Sequence, residues 1–408
     1  SERFSAPHVS MQIVQELATD FRRSADELRY VPRDFLRILK NNWLALFGTL
    51  VLAVALNRIL LWGSVALTFI HPILSTLTLP FAAIAIMSGA IVAIWIIEKD
   101  LVHLKFAVPE ENRFRYLLHS TGALILPFIA IYLSTGWDED DFIDRRMPLI
   151  ELRAGSAEYF DSLQVDPSYD ERSTIVVFCA AVVVRMLLRW SGLGRKNLVC
   201  AWILAYCEVL WAFTLATWLK NFAAGEYSWP QQFHFWDWWE SGKDFFSGVE
   251  PLKEGITFLF STVLVLPVSW IIFVQLVLRK SIILDENSPF PKTRDEWAVA
   301  PQLASRQTFT FLQASRETVL LLFSIGPFAV ALLCFYFNLF WVPENLWRWL
   351  LDLIFGPITA PGPRFYIKYS LLPFGKVLAL AVITVLSCVT ADRCQGSIIN
   401  RLRKPQWT

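Results

Sequence analysis

Residues Leu198 to Leu219, LVCAWILAYCEVLWAFTLATWL, limit what this chain can become more than any other stretch. They are 22 consecutive residues with one charge, Glu208, at the eleventh position. A helix rises about 1.5 Å per residue, so a run of this length crosses the ~30 Å hydrocarbon core of a bilayer. In hydrocarbon only helices and closed barrels satisfy every backbone N–H and C=O, and an apolar run this long without alternation reads as a helix. Comparable blocks occur at about 43–62 (or 48–70), 73–97, 117–133, 174–190, 255–278, 318–341 and 369–389. The expected fold class is therefore all-α: a polytopic integral membrane protein of about eight transmembrane helices plus short interfacial amphipathic helices.

Composition points the same way. Charged residues make up 18% of the chain, against about 25% for a soluble protein, and 18 Trp and 32 Phe can furnish two aromatic interfacial belts. A net charge of +1 gives no polyanion-binding character, so nucleic acid is not an expected partner. The six cysteines form no C-x-x-C pair, and neither a disulfide framework nor a zinc ribbon is supported. The N-terminal residues contain no signal-peptide apolar core, which leaves the first span as the expected targeting element.

Three regions follow from the pattern. Residues 1–42 form a cytoplasmic amphipathic segment, in which Pro32 separates one helix from a second short surface helix, Asp34–Lys40. Residues 43–391 form the transmembrane bundle, with extracytoplasmic loops at 137–173, 220–254 and 342–368. Residues 392–408 form a basic cytoplasmic tail. Trp43 and Trp62 are a natural pair of interface anchors for the first span. Arg58 then snorkels near the far interface, or sits in mid-membrane if the helix runs to Ile70. Residues 344–356 place apolar side chains on one face and read as a surface or re-entrant helix. Orientation follows from counting: with the N-terminus inside, inner segments hold 25 Lys and Arg, Arg185 included, and outer segments 10, leaving Arg58 and Lys376. The positive-inside bias puts both termini in the cytoplasm.

Five spans carry a proline: Pro80, Pro127, Pro267, Pro327 and Pro373. Four of these precede Phe. Either a parallel four-plus-four duplication or the plain abundance of the two residues explains the recurrence.

For function, Glu208 is the strongest signal, because a carboxylate at mid-bilayer depth needs a counter-charge, a proton or water. Candidate counter-charges are Arg185, Arg58 and Lys376. Alanines at 205 and 212 share the face of Glu208 and admit a close neighbouring helix. Two readings from different classes follow. In the first, the chain is a transporter or channel subunit for a small solute or ion, with Glu208 as the coupling or binding carboxylate. In the second, it is a non-catalytic membrane-embedded scaffold subunit of a larger complex, with Glu208 paired and dry. The expected partners are the lipid bilayer and other membrane subunits or a second copy.

Other constellations are weaker. His234, Asp237 and Glu240 fall at helical spacing for a metal, yet FHFWDWW around them reads better as an interfacial aromatic anchor. The segment 137–173, with 11 carboxylates against four arginines, reads as a solvated cap. The basic turn 191–196 suits anionic headgroups. His103, His119, Glu110 and Glu111 lack a nucleophile or metal partner. H-E-x-x-H, G-x-S-x-G, P-loop and G-x-G-x-x-G motifs are all missing from the sequence. The reading leans away from an enzyme and implies no particular cofactor.

Overall fold

The computed structural model describes residues 29–105, 124–137, 140, 141, 144, 171–191, 197–224, 265–278, 334–339, 341–356 and 363–403. Its principal helices are α1 (Val31–Thr68), α2 (Pro72–Glu98), α3 (Leu124–Ser134), α4 (Glu171–Trp190), α5 (Leu198–Ala224), α6 (Leu266–Leu278), α7 (Trp341–Phe355), α8 (Pro363–Leu371) and α9 (Pro373–Arg403). No strand occurs among the described residues. Four helical stretches are long and apolar enough to cross a membrane: Val31–Thr68, Ile73–Glu98, Val199–Ala216 and Tyr366–Gly396. Leu124–Ser134, Ile175–Leu188 and Leu266–Leu278 are shorter apolar helices at three further expected positions.

The chain divides into two compact units. One comprises residues 1–50, 91–108 and 270–408, and the other 51–90 and 109–269. They are called unit 1 and unit 2 below.

Helix α1 is one rod of 38 residues, about 57 Å at ~1.5 Å per residue and nearly twice the hydrocarbon thickness. Asp34–Lys40 forms its first turns and is not the separate surface helix expected from sequence. Pro32 explains the start, since the first turn of a helix has no use for the N–H that proline lacks. Nothing then interrupts the rod. The Asn42 amide donates to the Ile38 carbonyl at 3.1 Å and to Asp100, anchoring this turn where a cap would have ended it. Buried positions recur every three or four residues at Leu46, Leu50, Ala53, Asn57, Leu61, Ser64 and Thr68. Trp43, Leu44, Leu52, Ile59 and Trp62 are exposed.

In unit 2, Leu61, Leu79 and Ala82 form a small core with Leu60 and Phe213. Val177, Ala181 and Leu210 form another, covered by Ile73, Leu77, Tyr206 and Trp211. Pro80 lies inside α2 without ending it. The carbonyl of Leu77, one residue past the one that Pro80 deprives of its donor, accepts a hydrogen bond from the Tyr206 hydroxyl. The adjacent Phe81 stacks on Tyr206 with ring centroids 4.5 Å apart. Beside Pro80, Phe81 thus docks the side chain whose hydroxyl ties α2 to α5.

In unit 1, α9 is buried along most of its length. Polar ties fix its last turns. Arg393 pairs with Asp34 of α1, and the Asp392 carboxylate accepts the backbone N–H groups of Val102, His103 and Leu104 at 3.2, 2.6 and 2.7 Å. Residues 392–403, expected as the beginning of a tail, continue α9 as helix. Pro373 lies within the candidate span Tyr366–Gly396 but opens a helix there: α8 ends at Leu371, Leu372 turns, and Pro373 begins α9. Helix α7 closes at Gly356, whose φ of 70° is the left-handed conformation that glycine adopts without strain. It packs on α9 where Gly375 leaves room for the Trp347 ring and Glu344, and the Trp347 indole N–H bonds the Leu371 carbonyl at 2.8 Å.

Candidate functional site

Glu208 owes its position to two local features. The Asn197 side chain accepts the Val199 N–H at 2.9 Å and caps the start of α5. The link from Trp190 to Leu198 is too short for anything but an antiparallel neighbour, so α4 returns along α5. Small or slender residues line the seam, with Ala181 and Val177 of α4 against Leu210 of α5, and Ala201 and Ala205 are also buried. Close approach brings Arg185 level with Glu208.

The carboxylate is 1% exposed, and both of its oxygens are occupied. Oε1 accepts the Arg185 Nε–H at 2.7 Å, and Oε2 accepts the Trp211 indole N–H at 2.8 Å. The Arg185 guanidinium also lies 5.1 Å from the centroid of the Trp211 ring, so the cation is shared between carboxylate and π-face. Arginine suits such a site because its planar donors can serve several acceptors at once. A buried carboxylate is tolerated when it is paired and further hydrogen-bonded, and here each oxygen has a donor.

Of the four candidates expected from sequence, the structure brings Glu208 and Arg185 together. Arg58 instead pairs with Asp144 at 2.9 Å. Its neighbour Asn57 donates to Asp141 at 3.1 Å and to the Ala82 carbonyl, and Tyr132 also donates to Asp141. The start of the acidic segment thus folds onto the far half of α1, which supplies Arg58 with a local counter-charge. Lys376 is buried on α9 in unit 1 and is not without a partner. His234, Asp237, Glu240, His119, Glu110, Glu111 and Pro327 lie outside the described residues. No group of three or more His, Cys, Asp or Glu among the described residues could hold a metal ion.

Sequence reading missed Trp211 as a ligand of Glu208, although a Trp three residues beyond a buried Glu on a helix is spacing that could have suggested it. It also missed Asn57, Tyr132 and Asp141, and no local signal links positions so far apart in the chain.

By fold and composition the molecule is an all-helical protein with several helices long and apolar enough to span a membrane, consistent with an integral membrane location. No family model, curated protein or solved structure matches the chain.

Proposed function

We propose that this chain is an eight-span membrane protein with both termini on the cytoplasmic side, working as a non-catalytic structural subunit of a larger membrane assembly. The observation that carries the reading is the occupancy of Glu208. Its two oxygens accept from Arg185 and Trp211 beside a seam packed by Val177, Ala181 and Leu210, the state expected of a carboxylate that sets helix packing. A coupling carboxylate has to exchange partners during each cycle, which favours an open coordination position.

Seven apolar helical stretches at expected positions support the span count, and the positive-inside bias supports the orientation. Large apolar side chains exposed on α1, α4 and α5 supply surface for lipid or for neighbouring subunits. Helix α7 exposes Leu346, Trp349, Leu353 and Ile354, with Arg348 and Asp352 held by Glu344 and Lys368. This is the profile of a helix lying at the membrane interface.

Passage of a small solute or ion is the second reading, favoured by one observation of its own, the buried polar side chains of α9. Purification of the full chain in a mild detergent, with identification of what accompanies it, separates the two. A stoichiometric membrane partner is the expected result. A chain that purifies alone, and whose Glu208→Gln variant stays folded but loses flux in reconstituted vesicles, would overturn the structural reading.

A further inference from the structure

A threonine or serine in a membrane helix can satisfy its hydroxyl by donating to the carbonyl four residues back, with no outside partner. This protein follows that habit closely. Thr68 donates to Ser64, Thr135 to Ile131, Thr214 to Leu210 and Ser387 to Ile383, at 3.1, 2.9, 2.8 and 2.6 Å. Two threonines of α9 depart from it. Thr384 is 0% exposed and Thr390 1% exposed, and neither hydroxyl has a hydrogen-bond partner in the protein. On the last buried turn of the same helix, the Gln395 side-chain oxygen is also buried and without a partner.

Each of these threonines could recover a bond by turning onto its own helix, as Ser387 does one turn away. A hydroxyl that forgoes this inside a dry core leaves a costly stranded group, so its orientation points to a partner of another kind. The positions are also not scattered. At about 100° per residue, Lys376, Thr384, Ser387 and Thr390 fall within an arc of about 120° of the helix circumference, with Gln395 beside it.

We propose that this arc of α9 is hydrated: a file of bound water molecules lies against it inside unit 1 and completes the hydrogen bonds of Thr384, Thr390 and Gln395. Water both donates and accepts and seeks two to four partners, so it serves hydroxyls and an amide oxygen alike. A cation is a poor alternative. The arc carries a lysine, and Asp392 lies outside it with its oxygens held by the amides of residues 102–104. The hydrated arc does not rest on Glu208, nor on the structural role proposed above.

The protein carries its own reporters. Cys388 stands one turn beyond Thr384, and Cys394 one turn beyond Thr390, both buried. Cys207, equally buried beside the fully bonded Glu208, is the dry control. Brief X-ray radiolysis of the full chain in lipid nanodiscs makes hydroxyl radicals from bound water where that water sits, and mass spectrometry reads the oxidation. Cys388 and Cys394 are expected to oxidise several-fold faster than Cys207, and to fall to its rate in Thr384→Val/Thr390→Val but not in Thr214→Val. Oxidation no faster than at Cys207 in the unaltered protein overturns the proposal. Thermal melting supplies an independent arm. Valine at 384 and 390 lowers Tm if water is bound there, whereas a dry arc would lose two stranded hydroxyls and gain Tm.

Discussion

Glu208 was visible in the sequence because it interrupts 22 apolar residues, and Arg185 was one of three basic residues that could have answered it. The chain held the deciding clue in a form easily overlooked. Only seven residues separate α4 from α5, so these two helices must be neighbours, while the other two candidates had no such constraint. Removing Arg185 leaves a carboxylate buried without its cation, so Arg185→Ala should cost about 3–5 kcal/mol of stability. Replacing both partners with apolar residues, as in Arg185→Leu/Glu208→Leu, should cost much less, because no charge is stranded. Equilibrium unfolding in bicelles over the double-mutant cycle measures the difference. Additive single effects, with no coupling, would refute the pair as a structural unit.

Among the elements, α9 departs most from what composition suggested. Its C-terminal end looked like a basic tail because Arg393, Arg401, Arg403 and Lys404 dominate the count. Asp392 changes its character, for the carboxylate gathers three backbone N–H groups that follow the end of α2 and ties that turn to α9. Gly396 belongs to the same arrangement, since a Cβ there would lie 2.6 Å from the His103 ring. Hydrogen bonds to a charged acceptor contribute about 1.5–3 kcal/mol each and do not add fully, so Asp392→Ala should destabilise by about 2–4 kcal/mol. The local sign is faster amide hydrogen exchange at residues 102–104, with exchange at α4 and α5 unchanged. Helix α1 teaches a related lesson. Amphipathicity near its start suggested a surface helix, yet continuity is decided by whether anything stops a helix, and between Lys40 and Trp43 nothing does.

At the scale of the whole molecule, the reading of eight spans with both termini inside leads to a direct topology test. A fluorescent-protein fusion at the C-terminus should fold and fluoresce in the cytoplasm, while a cysteine placed in 137–173 or 220–254 should react with an impermeant reagent added from outside. Labelling of those loops only after the membrane is opened would reverse the orientation. By itself the sequence determined the class of the molecule, the positions of most of its apolar helices and the carboxylate that interrupts an apolar run. Those properties follow from local length and hydropathy against a fixed bilayer thickness. Only the tertiary structure decided that the oxygens of Glu208 accept from Arg185 and Trp211, that Arg58 belongs to Asp144, and that the unpartnered polar atoms of α9 lie on a buried helix. A hydrogen-bond partner and a burial state depend on which helices meet, and hydropathy carries no record of which helix lies beside which.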